Sequence, residues 1–282
     1  METRFIETNH IRLHLVESGP KDGPLVILLH GYPEFWYGWN HQIDALASTG
    51  CRVLVPDQRG YHLSDKPPGL AAYRLDELAK DILGLISAVG QEKAIVVGHD
   101  WGGIVAWWMG ICYPEALSRL VILNAPHPGV MRRQLMFNPL QFFHSLYALF
   151  FQIPRLPEAM LRANDWERLA KVLIHTSRPG TFSPGDLEQY RQAWRQKDAM
   201  TCMLNWYRAS FRMPPSIPAN SRVHTPTLIL WGKRDVALRR TLAEKSIEMC
   251  DQGDLIFFEE ASHWVQHEEA EKVNRLITRF IG

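Results

Sequence analysis

One short stretch limits what this chain can fold into more than any other. The apolar run Ala94–Val97 ends in Gly98-His99-Asp100-Trp101-Gly102-Gly103, and an apolar helical pattern, Ile104–Met109, follows at once. Glycines stand two positions to either side of Asp100, in the pattern small–x–Asp–x–small–small. That is what a sharp strand-to-helix turn demands, because the central residue sits in strained backbone geometry and its neighbours pack too closely for larger side chains. Such a turn holds its central side chain up at a helix N-terminus, where a reactive group is commonly found. Asp is also a preferred helix N-cap, but a cap has no need of glycines packed around it. The chain is therefore expected to form a sheet whose strands are joined by helices, with Asp100 at a site above it.

The rest of the sequence agrees. Leu25–Leu29, Val53–Val55, Leu120–Leu123, Thr227–Trp231 and Leu255–Phe258 are further short apolar runs, and runs apolar on both faces read as buried parallel strands. Between strands, Asp76–Val89 places Leu78, Ile82, Leu85 and Ile86 on one helical face, with Gly90 beyond its end. Phe5–Val16 reads as an antiparallel hairpin at the sheet edge. The expected architecture is α/β, a mostly parallel, doubly wound sheet of about eight strands with its site outside the carboxyl ends of the strands. The alternation stops near Pro128 and resumes near Pro226. Residues 129–218 are helical in pattern, aromatic and Arg-rich, and broken at Arg178-Pro179-Gly180, Ser183-Pro184-Gly185 and Met213-Pro214-Pro215. They are expected to form a lid inserted between two parts of one core, residues 1–128 and 219–282.

Charge narrows the possible partners. Thirty-one Lys plus Arg against 30 Asp plus Glu leave a formal charge of +1, and this offers no overall attraction to nucleic acid or to an acidic membrane. Cys51, Cys112, Cys202 and Cys250 are widely spaced, without a C-x-x-C pair or a zinc-spaced Cys/His cluster, so neither a disulfide nor a metal is expected. Reduced thiols, an N-terminus without an apolar signal segment and the lack of a membrane-length apolar run point to the cytoplasm. The ten Trp can pack a core or line an apolar cavity.

A carboxylate at the turn selects a particular chemistry. It is ionised at neutral pH without help and is suited to displacement at saturated carbon, which leaves an alkyl ester on the protein. Turnover then needs a base to activate water. His263 lies just beyond the last apolar run, in Glu259-Glu260-Ala261-Ser262-His263-Trp264, and Asp235 follows the preceding one in Gly232-Lys233-Arg234-Asp235. Nucleophile, acid and base thus occur in the order expected of such a triad. His99, His127 and His267 are weaker candidates, and the alternative place for the acid falls near Asn124, which carries no charge. The turn His30-Gly31-Tyr32-Pro33 can aim the Tyr32 backbone N–H at the site, opposite that of Trp101, as an oxyanion hole for hydrolysis of the ester. Tyr32-Pro33 is a candidate cis peptide.

Taken together, HGYPEFWYGW, DQRGYHLSDKP, GHDWGG, NAPHP, LILWGKRD and ASHW resemble the epoxide hydrolase branch of the α/β-hydrolase superfamily over essentially the whole chain. The resemblance implies an α/β-hydrolase fold and hydrolysis of an epoxide to a vicinal diol. It also implies two lid tyrosines that donate protons to the epoxide oxygen. Tyr147, in Tyr147-Ala148-Leu149-Phe150-Phe151-Gln152-Ile153-Pro154, and Tyr207, in Asn205-Trp206-Tyr207-Arg208, stand at the matching positions; Tyr190 is the other lid tyrosine. Tyr147, Tyr207 and Trp101 are the expected substrate contacts. The substrate implied is a small lipophilic epoxide with water, and no cofactor. Two rivals share much of this pattern. Haloalkane dehalogenases use the same nucleophile and often a Trp after it, but lack the tyrosine pair. A non-catalytic binding protein on this fold would be marked by loss of a triad member, and none is lost.

Overall fold

The computed structural model describes all residues, Met1–Gly282. Eight strands form one sheet: β1 (Glu2–Thr8), β2 (Ile11–Ser18), β3 (Leu25–Leu29), β4 (Arg52–Pro56), β5 (Ala94–His99), β6 (Leu117–Leu123), β7 (Thr227–Gly232) and β8 (Gly253–Phe258), in the order β1-β2-β4-β3-β5-β6-β7-β8. The β1–β2 hairpin and the β2–β4 pair are antiparallel, and every pair from β4 to β8 is parallel. The expected class and edge hairpin are found.

Alternation along each central strand explains why these runs are apolar throughout. In β3, Ile27 and Leu29 enter one core, while Val26 and Leu28 enter the other, and all four are fully buried. Burying an aliphatic side chain of this size is worth about 1.5–3 kcal/mol. The smaller core is covered by α1 (Asn40–Ala47) through Ile43 and Leu46 and by the C-terminal helix through Val273 and Ile277. The larger core is covered by α2 (Leu75–Ala88) and α3 (Trp101–Cys112).

Six helices run between β6 and β7: α4 (Pro128–Phe137), α5 (Pro139–His144), α6 (Leu146–Phe150), α7 (Leu156–Thr176), α8 (Pro184–Trp194) and α9 (Ala199–Arg212). None joins the sheet, and β6 pairs directly with β7 despite the insertion. Buried residues of α7 to α9, among them Leu173, Trp194 and Trp206, continue the larger core. The chain closes with α10 (Arg240–Ile247), α11 (Val265–Glu268) and α12 (Ala270–Ile281). No helix is long and apolar enough to cross a membrane.

Candidate active site

Asp100 stands between β5 and α3 with φ 51° and ψ −121°, a left-handed conformation that non-glycine residues rarely adopt. The turn is compressed by its neighbours. A Cβ on Gly102 would fall 2.1 Å from the Leu29 carbonyl oxygen, and one on Gly31 would fall 2.3 Å from Asp100 Cβ. The small residues around Asp100 are therefore steric requirements. The carboxylate does not cap α3. Instead the Tyr32 backbone N–H donates to Asp100 Oδ1 at 2.8 Å, from a loop in which Tyr32-Pro33 is cis. The Trp101 N–H, expected as a second donor, makes no hydrogen bond to this carboxylate.

Loops after β7 and β8 bring up the other two groups. His263 Nε2 lies 3.5 Å from Asp100 Oδ2, and His263 Nδ1 lies 2.6 Å from Asp235 Oδ2. Asp235 is itself held by Asn124 Nδ2 at 2.8 Å and by the Ala237 and Leu238 backbone N–H groups. Asn124 thus orients the acid from the end of the neighbouring strand. Burial alone would lower the His263 imidazole, but the Asp235 charge and the nearby Asp100 outweigh it and push it up to about 10. Asp235 is buried, which would raise it, yet His263 and the hydrogen bonds hold it below its usual range.

The helices of the insertion supply the opposite wall. Tyr207 on α9 packs edge-on against Trp101, with ring centroids 4.9 Å apart, and against Tyr32 at 5.4 Å. Tyr147 on α6 is 6.0 Å from Tyr207 by the same measure. Arg208 fastens the two segments: its guanidinium donates to the Phe151 and Ile153 carbonyls at 2.9 Å and pairs with buried Glu158 at 2.7 Å. Tyr147 keeps 40% of its surface exposed, yet loss of water around its phenol, and then the Asp100 charge, raise that group; Tyr207 is raised by burial, its neighbour Tyr147 and Asp100. Both phenols therefore stay protonated. Asp100, Trp101, Tyr147 and Tyr207 share the wall of one cavity of about 470 Å³, with Ile104, Met131, Leu135, Phe142 and Leu238 among its apolar lining. Tyr32, Asp235 and His263 stand off that wall.

Residues 24–270 match the family model described as the alpha/beta hydrolase fold. Over 283 residues the chain is 38% identical to "Epoxide hydrolase 4" of Mus musculus, covering 98% of this chain and 78% of the relative.

The chain belongs to the epoxide hydrolase branch of the α/β-hydrolase superfamily.

Within that superfamily it is also 47% identical over 281 residues to "AB hydrolase superfamily protein YfhM" of Bacillus subtilis (strain 168), covering 100% of this chain and 98% of that one. A crystal structure of Bacillus megaterium epoxide hydrolase in complex with an inhibitor superposes with a TM-score of 0.90 at 29% identity, covering 99% of both chains.

This member of the branch has a feature that spacing alone did not flag. Glu34 is 1% exposed and accepts hydrogen bonds from Tyr190 Oη (2.7 Å) and Gln266 Nε2 (3.0 Å), with His267 Nε2 at 2.7 Å and His99 Nδ1 at 3.2 Å. Burial would raise this carboxyl; His267 and His99 hold it well below the usual carboxylate range. His99 Nε2 in turn lies 2.9 Å from the His263 carbonyl oxygen. So His99 and His267, set aside as bases, and Tyr190, set aside as a donor, belong to a network that ties α8 and the Tyr32 loop to the loop bearing His263. His127 is remote from it, bound to the Ser221 carbonyl and lowered to about 4 by burial. A glutamate after Pro33 looks like a surface residue until partners from 65 to 233 positions away close around it.

Proposed function

We propose that the chain hydrolyses a small lipophilic epoxide to a vicinal diol through an ester on Asp100, with residues 129–218, which hold the body of helices α4–α9, as the lid over the core. The observation that carries this reading is the common cavity wall shared by an ionisable carboxylate and two protonated phenols. A carboxylate oxygen attacks an oxirane carbon, the carbon–oxygen bond breaks, and the alkoxide takes a proton from Tyr147 or Tyr207. A departing halide takes no proton, so the phenol pair favours an epoxide over a haloalkane. The apolar lining supports a lipophilic substrate.

Electrostatics support a division of labour over time. With Asp100 ionised, His263 is held as an imidazolium. Esterification removes the Asp100 charge; the imidazolium then gives up its proton, which returns to the tyrosinate left by ring opening, and His263 becomes the neutral imidazole that a base requires. His263, oriented by Asp235, then takes a proton from water; the hydroxide adds to the ester carbonyl, and the intermediate collapses to release the diol and restore the carboxylate. The Tyr32 N–H is already aimed at a carboxylate oxygen of Asp100 and is the donor we assign to the oxyanion, joined by Trp101 N–H once the ester forms. Four unpaired cysteines support a reducing compartment such as the cytoplasm.

Excess protein with one equivalent of styrene oxide in heavy-oxygen water tests the reading. The diol from this first turnover should be mostly unlabelled, because its new oxygen comes from Asp100, and a His263→Gln variant should accumulate an adduct of substrate mass. Full label in the first diol, with no adduct, would demote Asp100 from nucleophile to general base. Halide release from a bromoalkane without any diol would replace the reaction class.

A further inference from the structure

The mouth of the cavity opens onto an apolar surface. Met136, Phe137, Leu140 and Phe143 are 67%, 74%, 57% and 64% exposed on α4 and α5, and Phe211, at the end of α9, is 57% exposed. Met136 and Phe211 also line the cavity, so outer surface and inner wall are continuous. Contiguous exposed apolar side chains of this size mark an interaction surface.

Charge indicates what the surface meets. Residues 128–157 contain Arg132, Arg133 and Arg155 and no Asp or Glu, and residues 199–222 again lack Asp and Glu and add Arg212; Arg208 is buried against Glu158 and Arg222 pairs with Asp251, so neither counts toward the surface. The remaining part of the insertion is different, with Asp165, Glu167, Asp186 and Glu188 on or beside α7 and α8. A chain of near-zero net charge thus carries an apolar surface beside Arg132, Arg133, Arg155 and Arg212, all four exposed and none paired with a carboxylate. Short helices with aromatic and aliphatic side chains beside arginines suit the headgroup region of an anionic bilayer. A second copy fits less well, since a twofold interface would set arginines against arginines with no carboxylate on the patch to pair them.

We propose that the α4–α5 surface and the end of α9 dock on an anionic lipid surface, placing the cavity mouth at the membrane so that a lipophilic substrate enters from the bilayer. The identity of that substrate rests on the reaction proposed above; the docking does not. Flotation of the full chain with phosphatidylcholine vesicles, with and without phosphatidylglycerol, tests it without any substrate. Binding should require phosphatidylglycerol and fall as salt rises. Arg133→Gln should weaken it about fivefold, and Phe137→Ser with Phe143→Ser should abolish it, while turnover of a short water-soluble epoxide is unchanged. If the double variant fails to fold, the salt series and Arg133→Gln still decide. Absence of flotation with phosphatidylglycerol, or binding indifferent to Arg133 and both phenylalanines, would overturn the proposal. So would concentration-dependent self-association lost in the same variants, which would assign the surface to a second copy. Flotation without epoxide turnover would uphold the docking and remove the catalytic reading alone.

Discussion

His263 shows how far one proton reports on a whole site. Its imidazole is raised from 6.5 to about 10 by Asp235 and Asp100. A group whose folded value lies above its unfolded one contributes stability in full below the unfolded value and loses it as pH climbs to the folded one. The gap in melting temperature between the wild type and a His263→Gln variant is therefore expected to narrow as pH rises from about 6.5 to about 10. A gap that stays constant over this range would show that His263 is not coupled to the two carboxylates in solution. The positions of Asp100, Asp235 and His263 could be read from sequence because each falls at a fixed offset from the end of an apolar run. Asn124 was noticed only as a residue unable to act as the acid, although it donates to Asp235. Glu34 and Arg208 were not legible at all. Their burial depends on partners distant in sequence, and no local pattern encodes a buried ion pair.

At the scale of elements, the turn between β5 and α3 is the least tolerant piece of the fold. Gly102→Ala drives a methyl into the backbone of β3, and a strained insertion of this kind typically costs about 1–3 kcal/mol. Chemical denaturation should show that loss, with activity falling alongside it because Asp100 moves with the turn. An unchanged midpoint would mean that the turn is looser than its geometry implies. Strand positions were legible because two-sided burial leaves continuous apolar runs. Three helix boundaries were legible from Pro and Gly: α7 ends before Arg178-Pro179-Gly180, α8 begins at Ser183-Pro184, and α9 ends at Met213-Pro214. The division of residues 128–150 into three short helices was not, since α4 buries only Val130, α5 only Gln141 and α6 nothing. With so little buried, no helical periodicity is written into the sequence. The break in α7 at Ala163–Trp166 is equally silent.

The molecule as a whole divides its stability unevenly. The central strands are buried on both faces, whereas α4 to α6 together carry seven of the seventeen exposed large apolar side chains. Amide exchange should accordingly be fastest in residues 131–150 and slowest in β3 and β5, by several orders of magnitude; uniform protection would contradict this gradient. The direct pairing of β6 with β7 across the inserted helices has a temporal side as well. During synthesis β3, β5 and β6 emerge early, and Asp100 with them, while Asp235 and His263 arrive only with the final strands. On the proposed mechanism, a ribosome-bound chain presents its nucleophile before it possesses the base that would regenerate it. Turnover by that route would begin only once β7 and β8 have docked beside β6, so that catalytic output would report on the joining of the two parts of the sheet.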